Sequence, residues 1–263
     1  DLSSAEGRIQ ARALADRADI VVQNFAPGTM ERYGLGWEQL SAERSDLIYC
    51  SITGFGSGAG AALPGYDLLV QAVGGLMSVT GPEPEVPTKV GLALWDVTTG
   101  LHATTGILAA LHHRDRTGAG QLVEVNLLSS VLSALVNQTS AVLSGGVVPG
   151  ITGNGHPSIV PYQTYPTADR QIVIAVGNNG QFRRLCEAIC RTDLADDARF
   201  ADNTDRVLHR GELNALLDAQ LTTRPAEYWL GLFAGVGVPA GPINTVAEAI
   251  ELARSLGLDP VHE

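Results

Sequence analysis

The chain has 263 residues, 45 % of them hydrophobic, which is enough to bury a sizeable core in one or two domains. Its formal net charge is −11, and it carries one lysine, Lys89, against sixteen arginines. It contains neither a basic run nor a long apolar run, which argues against a nucleic-acid-binding surface and against a membrane span. The three cysteines show no metal-ligand spacing and no disulfide framework, and no signal peptide is visible. We therefore expect a cytoplasmic protein without a bound metal.

The first part of the chain is predicted to form a parallel α/β layer. Short β-branched strands over residues 19–25 and 47–52 alternate with helical patterns over residues 3–18, 29–35 and 37–45. Strands and helices in alternation indicate a parallel sheet, and ligands on such sheets bind beyond the carboxyl ends of the strands. The turn after the first strand and the glycine-rich loop after the second are therefore expected at the same edge.

One carboxylate, Asp96, lies where an apolar run over residues 90–95 meets a long helical pattern. The helix predicted after it has apolar residues at helix-like spacing, namely Leu101, Ile107, Leu108 and Leu111. Free backbone N–H groups and the helix dipole at such a start stabilise an anion. Position alone leaves two interpretations of Asp96 open, a helix N-cap and a catalytic carboxylate.

The middle of the chain continues with alternating elements. A helical pattern over residues 66–77 precedes Asp96, and a strand over 121–127 and a helix over 128–144 follow the central helix. Residues 145–161 are rich in Gly and Pro, a composition typical of a linker.

A smaller α+β unit is predicted after the linker. Two strands, 162–165 and 171–176, are predicted to pair as a hairpin, and residues 193–206 are expected to be irregular. The remaining elements are helices over residues 181–190, 210–222, 225–234 and 246–256 and an extended segment over 236–243.

These elements divide the chain into four parts. Residues 1–145 are expected to form part of a large α/β domain, and residues 146–161 a linker. Residues 162–245 are expected to form the small α+β domain, and residues 246–263 to start the return to the large domain that the family resemblance described below implies.

Several motifs, in their joint order, resemble the family III CoA-transferases, also called the CaiB/BaiF family. The motifs are Asn24-Phe-Ala-Pro-Gly28 with Arg32, Tyr49-Cys-Ser-Ile-Thr-Gly-Phe-Gly56, Pro64-Gly-Tyr-Asp67, Gly74-Gly-Leu-Met77, Ile107-Leu-Ala-Ala-Leu-His-His-Arg114, Ile159-Val-Pro-Tyr162 and Val236-Gly-Val-Pro-Ala-Gly-Pro242. The resemblance covers essentially the whole chain but not the family's N-terminal and last parts. It implies a Rossmann-like parallel α/β large domain, a smaller α+β domain and a homodimer of interlocked subunits.

The resemblance also implies an activity. Family members transfer coenzyme A from an acyl-CoA to a carboxylic acid, and the position that matches their reacting aspartate is Asp96. In that chemistry the carboxylate attacks the thioester to form a mixed anhydride, and an aspartyl-CoA thioester follows. Covalent catalysis of this kind divides one difficult step into easier ones.

Other positions match residues that the family uses around its substrates. Tyr66 matches a tyrosine that lines the active site, and Asn24, Phe25 and Arg32 match residues that contact CoA. From the residues alone, Arg32 is as readily a surface salt-bridge partner of a neighbouring glutamate.

A glycine-rich loop of the family corresponds here to Gly177, Asn178, Asn179, Gly180 and Gln181, with asparagine at two of the glycine positions. Its backbone N–H groups are expected to stabilise an oxyanion. From the residues alone a tight strand-to-helix turn is the favoured interpretation of this loop.

Two other functions stay open at the level of sequence. The related α-methylacyl-CoA racemases also resemble this chain, but their histidine falls on Tyr66, and a phenol is a poor proton-exchange partner near neutral pH. A non-catalytic CoA-binding relative that is kept for its dimer is the alternative from another class. Asp67 either hydrogen-bonds within the site or caps the helix that starts at residue 68, and we expect the cap.

Overall fold

The computed structural model describes residues 1–259, so the last four residues of the predicted segment 246–263 lie outside the described part. The chain divides into two compact units, the first over Asp1–Gly153 and the second starting at Asn154. The division lies inside the stretch that is rich in Gly and Pro.

The first unit is built on a three-stranded parallel sheet. Its strands are β1 (Ile20–Gln23), β2 (Ile48–Thr53) and β3 (Leu122–Asn126), in the order β1-β2-β3. In the register Ile20 pairs with Ile48, and Tyr49 pairs with Leu122. The predicted parallel α/β layer is therefore confirmed, with β2 at its centre.

Seven helices surround this sheet in the first unit. They are α1 (Ala5–Ala15), α2 (Thr29–Arg32), α3 (Trp37–Ser41), α4 (Asp67–Val73), α5 (Leu94–Thr117), α6 (Leu127–Ala134) and α7 (Val136–Gly145), with a 3-10 helix over Leu76–Val79. Ser4 caps α1 by accepting the Gly7 N–H, as its position before the helix predicts. The long helix α5 lies close to β3, where Gly106 leaves room for Val123, because a Cβ on Gly106 would lie 2.7 Å from Val123 Cγ1.

The single helix predicted over residues 128–144 is in fact two helices, α6 and α7. The chain turns at Val136, whose φ of 35° is unusual for a β-branched residue, and the two helix axes are bent by 79°. Within residues 1–259 no single helix has both the length and the apolar character to cross a bilayer, although α6 and α7 taken together pass that test.

Two buried clusters form the core of the first unit. One lies between β1, β2 and helices α1 to α3 and contains Met30, Leu35, Leu40, Leu47 and Tyr49. The other contains Val70, Trp95, Leu127 and Val131 and so joins α4, α5 and α6. This second cluster underlies the helix start that carries Asp96.

The second unit contains an antiparallel sheet of β4 (Tyr162–Pro166), β5 (Gln171–Ala175) and β6 (Ala240–Pro242) in that order. The predicted hairpin and α+β composition are confirmed. Its helices are α8 (Asn179–Ala188), α9 (Thr192–Ala195), α10 (Asn203–Leu208), α11 (Arg210–Leu221), α12 (Ala226–Val236) and α13 (Val246–Ser255), with a 3-10 helix over Ala198–Phe200.

The expectation of an irregular segment over residues 193–206 is wrong. This stretch contains α9, the 3-10 helix and the first part of α10, each too short to show a helical period in the sequence. The buried side chains of Leu194 and Phe200 anchor it in the core of the second unit.

Candidate active site

A cleft of about 380 Å³ opens beyond the carboxyl ends of β1 and β2, the edge that the sequence predicts for a ligand. Its lining combines backbone, apolar and carboxylate groups from five segments of the first unit. The lining residues are Asn24, Phe25, Ile52, Thr53, Gly54, Gly65, Asp96 and Leu127. The structure thus brings together three of the predicted site residues, Asn24, Phe25 and Asp96.

The turn after β1 is held by a residue that sequence reasoning missed, Gln23. Its side chain is 9 % exposed and donates from Nε2 to Ser51 Oγ at 2.7 Å, which ties the end of β1 to β2. Its Oε1 accepts the Phe25 N–H at 2.8 Å. Gln23 therefore fixes the backbone that presents Asn24 and Phe25 to the cleft.

Two glycines, Gly54 and Gly65, form the floor where the loops after β2 and before α4 touch. A Cβ on Gly54 would lie 2.3 Å from Gly65 Cα, and one on Gly65 would lie 2.6 Å from Gly54 Cα. No side chain fits at either position, because the two backbones are in direct contact. The shape of the cleft next to Asp96 depends on this contact.

Asp96 is the third residue of α5, and the N-cap position belongs to Ala93. The interpretation of Asp96 as a helix cap is therefore wrong, and the end of the apolar run over residues 90–95 already belongs to the helix, which begins at Leu94. The Trp95 N–H, one of the free donors at the helix start, is bonded to Asp67 Oδ1 at 2.8 Å.

The Asp96 carboxylate is exposed to the cleft, and no group among residues 1–259 donates a hydrogen bond to it. Its partial burial, and secondly the negative charge of Asp67, raise the pKa of Asp96 above its ordinary value. A carboxylate whose lone pairs are not engaged and whose basicity is raised is a better nucleophile than a paired one.

Asp67 does not cap its own helix. It is the first residue of α4, the N-cap position belongs to Tyr66, and no side chain caps that helix start. The expectation of a cap at this helix is wrong, since the Asp67 carboxylate instead accepts the Trp95 N–H of α5. Asp67 is therefore bonded to the residue before Asp96, although it is not among the residues that line the cleft.

Two predicted site residues of the first unit are not among the residues that line the cleft. The side chain of Tyr66 is 73 % exposed, although its neighbour Gly65 does line the cleft. Arg32 stacks on the Tyr33 ring, with its guanidinium carbon 5.0 Å from the ring centroid, and makes no ion pair with any residue of the described chain. The alternative of a salt bridge to a neighbouring glutamate is therefore not observed.

The predicted loop 177–181 lies in the second unit and forms the capped start of α8. Asn178 accepts the Gln181 N–H at 2.9 Å, and Gln181 Oε1 accepts the Gly177 N–H at 2.7 Å. The N–H groups of Asn179 and Gly180 have no acceptor among residues 1–259. Two adjacent free donors at the start of a ten-residue helix can stabilise a negative oxygen.

A buried arginine that sequence reasoning missed supports this loop. Arg206 is 1 % exposed and donates to Asn179 Oδ1 at 2.9 Å, to Val160 O at 2.8 Å and to Phe200 O at 3.1 Å. Its guanidinium also lies over the Phe182 ring at 4.6 Å. Burial lowers the pKa of Arg206. The start of α8 is therefore joined to two other segments of its unit through one side chain.

No group of three or more His, Cys, Asp or Glu side chains in residues 1–259 is arranged to hold a metal ion. His102, in the helix after Asp96, lies with Nδ1 2.9 Å from Ser130 Oγ, an interaction that joins α5 to α6.

Comparison with known proteins gives one consistent family. The profile of CoA-transferase family III matches residues 1–256. The chain is 41 % identical over 249 residues to the succinate–glutarate CoA-transferase of Agrobacterium fabrum, covering 94 % of this chain and 62 % of that protein. It is 39 % identical over 246 residues to the succinyl-CoA:glutarate CoA-transferase of Mus musculus, covering 93 % and 56 % of the two chains.

The fold agrees with this result. The crystal structure of a CaiB/BaiF family protein from Brucella suis superposes with a TM-score of 0.86 at 43 % identity, covering 99 % of this chain and 67 % of that one. The chain spans between about half and two thirds of the length of the curated relatives that it matches.

Proposed function

The chain belongs to CoA-transferase family III, and from this premise we propose that the protein moves CoA from an acyl-CoA to a free carboxylic acid. The observation that carries the proposal is Asp96, a carboxylate without a hydrogen-bond donor in a cleft at the carboxyl ends of parallel strands. The names of the relatives support the same reaction class.

In the proposed reaction, the Asp96 carboxylate attacks the thioester carbonyl of the donor, and the carbon–sulfur bond breaks to give a mixed anhydride and CoA thiolate. The thiolate attacks the aspartyl carbonyl and releases the donor acid, which leaves an aspartyl-CoA thioester. The acceptor carboxylate attacks that thioester and forms a second anhydride and free thiolate. Attack of the thiolate on the acceptor carbonyl then releases the new acyl-CoA and restores Asp96.

Water competes with each of these nucleophiles, so the site must protect the anhydrides. The apolar side chains of Phe25, Ile52 and Leu127 line the cleft beside Asp96 and reduce the access of water to it. The raised pKa of Asp96 strengthens its attack on the thioester, since nucleophilicity rises with basicity.

We assign the binding of CoA to Asn24, Phe25 and Arg32. Asn24 and Phe25 line the cleft, and the Arg32 guanidinium has no carboxylate partner in the described chain and can contact a phosphate. In this proposal the exposed Tyr66, next to Gly65, contacts the acyl group of a bound substrate.

The loop Gly177–Gln181 completes the proposal as the source of oxyanion donors. The Gly177 N–H is already engaged by Gln181, so the free N–H groups of Asn179 and Gly180 are the donors that we assign to the developing negative oxygen.

We further propose that the protein is an interlocked homodimer in the cytoplasm. One side of α5 exposes Val97, Leu101 and Leu108, a stripe at helical spacing that a second copy can cover. The three cysteines are all free thiols, which supports a reducing compartment. Light scattering after gel filtration should give twice the monomer mass, and a monomer at micromolar concentration would contradict the dimer.

Short dicarboxylic acids are the proposed acyl groups, because succinate and glutarate are the acids in the names of the two relatives above. A screen of short dicarboxylyl-CoA donors against free acids should show turnover with succinate, with glutarate or with both.

The decisive experiment compares Asp96→Asn with Asp115→Asn, an exposed carboxylate on the same helix. We expect Asp96→Asn to lose on the order of 10³-fold or more in kcat, since it removes the nucleophile, while Asp115→Asn stays within about twofold of the wild type. Incubation with acyl-CoA and hydroxylamine should convert Asp96 to a hydroxamate that peptide mass spectrometry detects.

Transfer that persists in Asp96→Asn would refute the covalent route. Tight CoA binding without any turnover by the wild type would instead favour a non-catalytic CoA-binding protein. Exchange of the α-proton of an acyl-CoA in deuterated water, without transfer, would favour a racemase.

A further inference from the structure

Gln71 lies in the middle of α4 and is 1 % exposed, which is unusual for an amide side chain. Every polar atom of this side chain is engaged. Oε1 accepts the Val90 N–H at 3.0 Å, and Nε2 donates to Asp67 Oδ2 at 2.6 Å and weakly to Leu92 O at 3.4 Å. Gln71 therefore bonds to two residues, Val90 and Leu92, of the segment that leads into α5.

Asp67 extends this arrangement to the start of α5. One oxygen accepts from Gln71, and the other accepts the Trp95 N–H at 2.8 Å. Val90, Gln71, Asp67 and Trp95 thus form one chain of hydrogen bonds that ends one residue before Asp96. We call Asp67 and Gln71 together the α4 clamp.

We propose that Gln71 is a positioning residue for Asp96, acting through Asp67: the α4 clamp fixes the first turn of α5 and holds a second carboxylate beside the reacting one. This inference rests on the proposed function, since it assigns a task within that reaction. Gln71 is not a catalytic residue, because it does not line the cleft.

The clamp is one of two reasons why Asp96 lacks the stabilisation that a carboxylate at a helix start ordinarily receives. The free N–H groups and the dipole of a helix start stabilise an anion in the first turn. Here the Trp95 N–H is used by Asp67, and the ionisation of Asp96 is opposed first by its partial burial and secondly by the charge of Asp67. The Nε2 of Gln71 keeps Asp67 oriented toward Trp95 by bonding its second oxygen.

Within residues 1–259, Asp67 is the charged group that acts on Asp96, and β2, β3 and α6, which also pack against α5, offer no second one. In β3, Glu124 accepts a hydrogen bond from Ser57, and in β2 the ionisable side chains are Tyr49 and Cys50, both buried in the core. Helix α6 carries no ionisable side chain. Asp67 on α4 is therefore the group through which a charge change can reach Asp96.

The test uses two nearly isosteric variants that change the charge in opposite directions. Asp67→Asn removes the neighbouring charge, and Gln71→Glu adds one next to it. The matched control is Gln10→Glu on α1, where an exposed glutamine makes the same bond four residues back, to Glu6 at 3.2 Å. All variants are made in the full-length chain.

The first readout is the titration of the Asp96 carboxyl carbon by NMR with labelled aspartate, assigned by its loss in Asp96→Asn. We expect the midpoint to fall by about half to one pH unit in Asp67→Asn and to rise by a similar amount in Gln71→Glu. Gln10→Glu should leave it unchanged. This readout does not depend on turnover.

The second readout is the transfer reaction. The acidic limb of kcat should move in the same two directions as the titration, with KM for acyl-CoA within about twofold of the wild type, because binding residues are untouched. Titration midpoints that stay at the wild-type value in both variants would overturn the role of the clamp, whatever happens to activity. Shifted midpoints in a protein that transfers no CoA would uphold the clamp and refute the proposed function instead.

Discussion

Alanine at Gly54 provides a sharp test of the cleft, because its effect is steric alone. The φ angle of Gly54 is not in the left-handed region, so alanine adopts the same backbone conformation without strain. Its Cβ, however, would lie 2.3 Å from Gly65 Cα, whereas ordinary contacts begin at 3.4 Å. One of the two loops must therefore retreat by about 1 Å, a distance that packed backbone does not absorb freely.

The expected losses follow from that displacement. Forcing an extra carbon into a packed site costs about 1–3 kcal/mol of the free energy of unfolding. For a chain of this size that corresponds to a fall in melting temperature of roughly 2–12 °C. Because Gly54 and Gly65 line the cleft beside Asp96, a displacement of about 1 Å should also lower kcat/KM on the order of 10²-fold.

Differential scanning calorimetry and the transfer assay measure both effects. The matched control is Gly58→Ala in the same loop, where a new Cβ meets no atom within 4 Å and φ is likewise not positive. A Gly54→Ala variant with the wild-type melting temperature and activity would contradict the steric role of the Gly54–Gly65 contact. A Gly58→Ala variant as damaged as Gly54→Ala would contradict it too.

Three further outcomes are expected. Folding raises the pKa of Asp96, so ionisation of this carboxyl lowers the free energy of unfolding as the pH rises above the ordinary pKa of an aspartate. Asp96→Asn should therefore melt at a higher temperature than the wild type at pH 7. In calorimetry the difference should vanish below about pH 4, where the carboxyl is protonated in both states. Arg206→Met leaves buried acceptors unpaired and should reduce the free energy of unfolding by about 3 kcal/mol in urea titrations, whereas Arg184→Met, at an exposed arginine with one weak bond, should change it little. Iodoacetamide at pH 8 should label exposed Cys190 first and leave Cys186 unreacted until unfolding, since burial raises the pKa of Cys186 to about 12; rapid native labelling of Cys186 would contradict the packing of the second unit.

The parallel sheet and most helices could be predicted because their signals are local. The β-branched run that becomes β1 and the periodic apolar residues of α5 specify their own conformation. The hairpin of β4 and β5 was likewise predictable from two alternating strands around a short turn. The place of Asn24 and Phe25 in the cleft follows from the same logic, since parallel strands end at one edge.

The residues that hold the site together gave no local signal. Gln23 bonds to a residue 28 positions away, and Arg206 bonds to one 46 positions away. Partners so distant are defined only by the folded chain. Gln71 carried a weak indication, as a single polar residue inside the apolar stretch Leu68–Val73 of α4, a pattern typical of a buried amide with hydrogen-bond partners.

The turn between α6 and α7 was missed for a related reason. Apolar periodicity continues through residues 127–145, and nothing in the local sequence indicates that Val136 has a positive φ. Short helices such as α9 are also invisible to a period of 3.6 residues, because they span barely one turn.

Lys89 is the single lysine of the chain, exposed seven positions before Asp96. Amine-directed reagents therefore have one side-chain target, besides the terminal amine, on the segment that enters α5. A fluorophore attached there would label the segment that enters α5 without any engineered cysteine.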